Sequence, residues 1–190
     1  MTLKYLWVIC ITIPTLIPSW AGNSHKECRS LFNPPKDSAQ AVQRIISFLD
    51  WYKKNYSSIN EKGLSYADKD GWYKVDTNAC RVYLDRLMKS GYFTSNYKKL
   101  WQDYFYSKAV YWESSPQKEG SPEGFDYDLV LLTQEPELFY DDPKKLTFDV
   151  VELEKDFAVV ATTADWPLYF EMTKRKGIWM IDYISSEGYD

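Results

Sequence analysis

The chain has 190 residues, 45% of them apolar, which suffices for one domain with a sizeable core. Its formal net charge is −4, and its lysines are scattered among acids, as at Lys53-Lys54 and Lys98-Lys99. That excludes nucleic acid as the expected partner, because no basic stripe is available to track a phosphate backbone. Aromatics reach 17%, with 16 Tyr and 8 Trp; most of these fill a core, and the excess suggests a surface or cavity that makes contacts.

The first 21 residues read as a signal peptide and not as part of the fold. Lys4 supplies a short positive start, Leu6 to Ile17 is an apolar run too short to span a membrane comfortably, and Ser19-Trp20-Ala21 places small residues before a cleavage point between Ala21 and Gly22. The competing reading is a retained anchor, but no stop-transfer pattern follows. The expected product is therefore exported, periplasmic or extracellular, with no stable membrane span after cleavage. Export removes Cys10 and leaves Cys28 and Cys80 in an oxidising compartment, where they are expected to pair. Such a bridge closes a loop of about 50 residues and contributes on the order of 4 kcal/mol through the unfolded chain.

Residues 22–36 read as a polar arm, with Pro34-Pro35 opposing regular structure, and residues 37–190 as a single domain. Asp37 or Ser38 is expected to cap a helix of about 20 residues, with Val42, Ile45, Ile46, Leu49, Tyr52 and Tyr56 on one face. Asn55-Tyr56-Ser57 matches a glycosylation sequon at that helix's end. A long connection follows, in which Tyr66, Trp72, Tyr73 and Val75 have enough apolar weight to dock. Asp76 or Thr77 opens a second helix that Gly91 stops, and Thr94 or Ser95 opens a third, with Tyr97, Leu100, Trp101, Tyr104, Phe105 and Lys108 along one stripe. Residues 114–124 form the clearest loop.

Phe125 to Thr133 reads as a first strand, with Asp126, Asp128, Val130 and Leu132 on one face and both faces apolar at its end. From Leu146 to Ser185, four segments rich in Val, Ile, Phe, Tyr and Thr are separated by Lys155-Asp156 and Arg175-Lys176-Gly177, as in an antiparallel meander. In the last segment strict alternation puts Ile178, Met180, Asp182 and Ile184 on one side and Trp179, Ile181, Tyr183 and Ser185 on the other. About three helices followed by about five strands make an α+β fold, helices packed on a mainly antiparallel sheet.

The stretches FLDWYKKNY, GFDYDLVLLTQE and KGIWMIDYI, spread over residues 40–184, together resemble an exported bacterial domain family of uncharacterised role in the cone-shaped superfamily named after nuclear transport factor 2. The resemblance implies a strongly curved sheet wrapped around helices with a pocket inside. It also implies relatives that include enzymes, binding proteins, immunity proteins that neutralise toxins, and homodimers joined through the open sheet face.

Candidate chemistry is sparse. His25, the sole histidine, lies on the arm, so a histidine base inside the domain is excluded. Asp126 and Asp128, about 7 Å apart on one strand face, are the best carboxylates for proton transfer if burial raises them; Asp103 and Asp182 are weaker. Asp126, Asp128, Asp141 and Asp142 do not match a calcium loop, and two cysteines make no zinc site. There is no nucleophile elbow and no glycine loop for a phosphate, so no cofactor is expected. Trp101, Tyr104 and Phe105 fall on the core stripe; Tyr111 and Trp112 at the helix end fit a pocket mouth. Trp112, Tyr111, Asp126, Asp128 and Tyr104 are the candidate binding residues. The expected function is an exported, non-enzymatic domain binding a protein or a small ligand; the alternative is an isomerase- or dehydratase-like enzyme using pocket carboxylates.

Overall fold

A computed structural model of the chain describes residues 34–162 and 166–187, all of them within one unit, Phe32–Asp190. Signal peptide, cleavage point, His25 and the Cys28 end of the expected disulfide lie outside the described residues. Helix α1, Pro34–Ile59, runs 26 residues and starts earlier than expected. Pro34 and Pro35 begin it, because proline in a first turn gives up only amide protons that have no helical partner there. Asp37 thus lies inside the first turn, buried, and ion-pairs with Lys174 of the sheet.

The connection after α1 contains a small hairpin, β1 (Ser65–Ala67) paired antiparallel with β2 (Tyr73–Val75). Asp68 closes its turn by accepting from the amides of Asp70 and Trp72, both at 2.9 Å. Helix α2, Thr77–Lys89, is capped by Asp76, whose carboxylate accepts from Ala79 N at 2.8 Å. Helix α3, Ser95–Ser114, is capped by Thr94. Both caps are the residues that the sequence predicts, since short oxygen-bearing side chains satisfy amides that a first turn leaves unpaired.

The four-stranded antiparallel sheet is a meander of β3 (Phe148–Leu153), β4 (Phe157–Thr162), β5 (Tyr169–Arg175) and β6 (Ile178–Ser185), in that order. The first of the five expected strands, residues 125–133, is a loop. Ahead of the sheet lie a short helix, α4 (Glu137–Tyr140), and a 3₁₀ turn at Pro143–Lys145.

Two β-bulges break the alternation. In β3 the register shifts between Val150 and Glu152, so Val151 has no partner and stands 50% exposed. In β6, Met172 pairs with Ile181 but Glu171 pairs with Tyr183, so Asp182 is the extra residue. The expected alternation of β6 therefore fails past Ile181. Trp179, Ile181 and Ile184 all bury on one face, and Tyr183 turns out, 41% exposed. The bulged Asp182 is held by the hydroxyls of Thr94 and Thr173, both donating to its carboxylate. It thereby puts a negative charge at the N-terminus of α3, where the helix dipole favours one. The backbone repeats the tie: Ile181 N donates to Tyr92 O (2.8 Å) and Thr94 N to Ile181 O (3.0 Å), so residues 92–94 lie along the outer side of β6.

Helix α1 crosses the inner face of the sheet, burying Ile45, Phe48, Leu49 and Tyr52 against Val160, Phe170, Met172, Trp179 and Ile181. Arg44 locks this packing from the rim. Its guanidinium donates to Trp179 O (3.0 Å) and Gly91 O (2.5 Å) and lies 4.1 Å above the Tyr92 ring. Helix α3 packs on α2, β2 and β6.

The segment 115–124 folds back onto α3, where Lys108 pairs with Glu123 at 2.9 Å and Tyr104 Oη donates to Gly124 O at 2.8 Å. Gly124 has φ +83°, and a Cβ there would sit 2.3 Å from Tyr104 Oη and 2.7 Å from Lys108 Cε. Gly124→Ala is therefore expected to cost about 2–4 kcal/mol, strain plus overlap. Gly120 shares the left-handed backbone at φ +75° but has open space around it, so Gly120→Ala should cost only about 1 kcal/mol. Urea midpoints of the two variants check the difference; equal losses would show that the approach to Tyr104 is not tight.

Candidate functional site

The loop that replaces the expected strand organises the surface around it. Phe125 stacks on Phe105 (centroids 6.0 Å apart, planes at 16°) and packs against Trp112 at 5.4 Å. Beyond it, Asp128 N donates to Thr133 O at 2.8 Å, closing residues 128–133 into a tight turn. Asp128 Oδ1 then accepts from Val130 N (3.0 Å) and Leu131 N (2.7 Å), and its Oδ2 accepts from the Tyr52 hydroxyl at 2.6 Å. Leu129, Val130 and Leu131 point into the core, and Leu132 reverses the chain at φ +53°. A run of four aliphatics fits a strand buried on both faces equally well, and its period alone does not separate the two. The aspartate ahead of it, able to bond amides two and three residues on, was the available signal for a turn.

Asp128 is 8% exposed and Asp126 is exposed, so the two do not form a carboxylate pair on a common face. Burial pushes the Asp128 carboxyl above the ordinary 3.8, outweighing the bonds from Tyr52, Leu131 and Val130 that pull it down. Its buried neighbour Tyr52 is driven well above 10.0 by desolvation first, with further contributions from Tyr83 and Asp128. Tyr56 rises to about 12, through burial and then the negative fields of Asp128, Tyr140 and Glu137.

Two openings flank this loop. On one side a groove of about 310 Å³ runs between α3, the loop and β6, lined by Leu100, Trp101, Tyr104, Tyr127, Leu132, Tyr183 and Ile184. Leu100 is 48% exposed and Tyr183 41% exposed at its mouth. None of the seven side chains is charged. On the other side a cleft of about 500 Å³ lies against the end of α1, where Tyr56 and Asn60 face Phe125, Asp126, Tyr127, Asp128, Gln134 and Pro136. A smaller cavity of about 140 Å³ shares Asn60, Phe125 and Tyr127 with that cleft and reaches Tyr83.

The five candidate binding residues separate accordingly. Tyr104 lines the groove, and Asp126 and Asp128 line the cleft. Tyr111 is exposed beside Lys108, whose ammonium is 5.4 Å from its ring. Trp112 is 1% exposed and packs on Tyr73 and Phe125, so it belongs to the core and not to a pocket mouth. The sequence reading does not single out Leu132, Tyr183 or Tyr56 as site residues, since each depends on the turn, the bulge or the cleft for its place in an opening.

Cys80 is buried under the hairpin with its Sγ 3.6 Å from Leu64 O, and burial pushes its thiol up to about 12. Asp182, bound by two threonines, is a structural tie. Among the described residues no group of three His, Cys, Asp or Glu could hold a metal ion, and no helix is long and apolar enough to cross a membrane. No family model, no curated protein and no solved structure matches the chain.

A carboxyl whose pKa rises on folding favours the folded state while protonated, and that contribution is lost as pH climbs from the ordinary value through the raised one. Asp128→Asn cannot ionise. The stability of this variant minus that of the wild type should therefore rise with pH across that interval and then level off, as read from urea denaturation at a series of pH values. A difference that falls with pH would show that the three hydrogen bonds outweigh burial. Asp128→Ala strands three buried donors and is expected to cost about 3–5 kcal/mol at neutral pH.

Proposed function

We propose that the protein is an exported, non-catalytic binding domain and that the groove between α3, the 125–133 loop and β6 receives an apolar side chain of a protein partner. The reading rests on one observation: an open groove of about 310 Å³, lined only by uncharged residues, with Leu100 and Tyr183 exposed at its mouth. Leaving such groups in water is unfavourable unless something covers them. One wall is Leu132, a bulky residue with φ +53°, and backbone held in a sparsely populated region is a feature of ligand clamps.

A small ligand would need placed polar groups to fix its orientation, whereas a side chain inserted by a protein is oriented by the rest of the interface. The groove's lining favours the protein. A toxin, as for the immunity-type members of the cone-shaped superfamily that the sequence resembles, is one concrete partner, and the curved cone itself is the architecture we propose for the sheet and its helices.

The enzymatic alternative draws on Asp128, whose two oxygens already accept three hydrogen bonds, and on Asp126, which lies exposed. A general base needs a lone pair aimed at substrate, and this staple is committed to holding the loop.

The test is native mass spectrometry of the protein purified from the envelope of its own cells, repeated with Leu100→Glu and Tyr183→Glu. Both positions are exposed, so the fold should keep its stability within about 0.5 kcal/mol, while a protein partner's affinity should fall about tenfold or more. Lys99→Glu should leave it unchanged. A complex indifferent to both groove variants, or a co-purifying small molecule in place of a protein, would overturn the assignment. In the same spectra the mature chain is expected to begin at Gly22 and to be two hydrogens light from a Cys28–Cys80 bridge; a chain that retains Met1 would remove cleavage from the reading.

A further inference from the structure

We propose that the second opening, the cleft between the end of α1 and residues 125–136, is a binding site for a small organic ammonium cation. Its walls carry the two kinds of group that attract such an ion. Tyr56, Phe125 and Tyr127 offer aromatic rings, and Asp126 and Asp128 offer carboxylates. Ring faces are negative and weakly hydrated, so they hold an alkylated ammonium without having to strip a tight water shell, and a nearby carboxylate supplies the balancing charge. Among the described residues no lysine or arginine lines this cleft.

The local field agrees in sign. Burial is the first cause of the upward shifts of Tyr56 and Tyr140, and the carboxylates of Asp128 and Glu137 add to both. Lys53 of α1, which opposes the shift of Tyr140, is engaged by Asp141 at 2.8 Å. Lys62, the basic residue on the lining of the smaller cavity, is exposed.

Deeper, the cleft continues past Asn60, Phe125 and Tyr127 into the 140 Å³ cavity that Tyr83 borders. Asp128 is rigidly held by its loop, so the negative wall of the site is formed before anything binds. A metal ion fits less well, because two carboxylates supply too few hard ligands.

The test compares choline with its neutral isostere 3,3-dimethylbutan-1-ol on the full chain, following the ring resonances of tyrosine-labelled protein by NMR. Choline is expected to shift Tyr56 and Tyr127 saturably and to bind at least about tenfold more tightly than the isostere. Asp126→Asn, at an exposed position, and Tyr56→Leu should each weaken choline severalfold and leave the isostere unchanged. Equal affinities for the two probes would make the cleft merely apolar and overturn the proposal. So would choline binding that ignores both substitutions, or the absence of saturable shifts.

Discussion

A single buried carboxylate decides the shape of this surface. Asp128 gathers a phenol from α1 and two amides from its own loop, and so turns an aliphatic run that could have paired as a strand into a plug. Burying the charge costs free energy, as the upward shift of the group shows, and the three hydrogen bonds offset part of that cost. Without the staple, nothing would fix Leu129, Val130 and Leu131 in a turn as they enter the core, and neither the groove nor the cleft would have its shared wall. Removing such an acceptor is far more damaging than never having had it, because the donors it leaves behind are already out of water.

Aromatic rings carry the packing outward from that point. Phe48 meets Trp51, Tyr52, Tyr92, Phe93 and Phe170, and a second group joins Trp101, Tyr104, Phe105, Trp112 and Phe125. The first group binds α1 to the sheet; the second binds α3 to the loop. The aromatic content of the chain is thus mainly core volume; half-buried Tyr104, Trp101 and Tyr127 line the groove, while Tyr66, Trp72, Tyr106, Tyr111 and Trp166 stand exposed elsewhere.

What could be read in the sequence was what depends on near neighbours. The caps of α2 and α3, the helical stripe of α1 and the turns of the meander follow from chemistry within a few residues, and all of them form. The start of α1 was misjudged because Pro34 and Pro35 break a helix only from its second turn onward. The failures elsewhere needed distant partners. Asp128 turns the chain through its own amides but is held in the core by Tyr52, far away in sequence, and the bulged Asp182 is bound by two threonines on α3's cap and β5. Half of the candidate binding surface was accordingly legible as residue types and illegible as an arrangement: Tyr104, Asp126 and Asp128 reach the openings, whereas Trp112 disappears into the core and Tyr183 arrives only because a bulge reverses its side.

The two irregularities of the sheet bear on how the protein behaves in a crowded compartment. An open meander offers two unpaired rows of amides and carbonyls to any passing chain. Here the β6 row is interrupted at Ile181, which hydrogen-bonds to Tyr92 and Thr94. The β3 row is interrupted at Val151 and flanked by exposed Asp149 and Glu152. Neither margin presents the long, flat, uncharged template on which strands stack into aggregates. The same distortions that hide the last strand's alternation from the eye therefore keep the sheet from growing beyond its own four members.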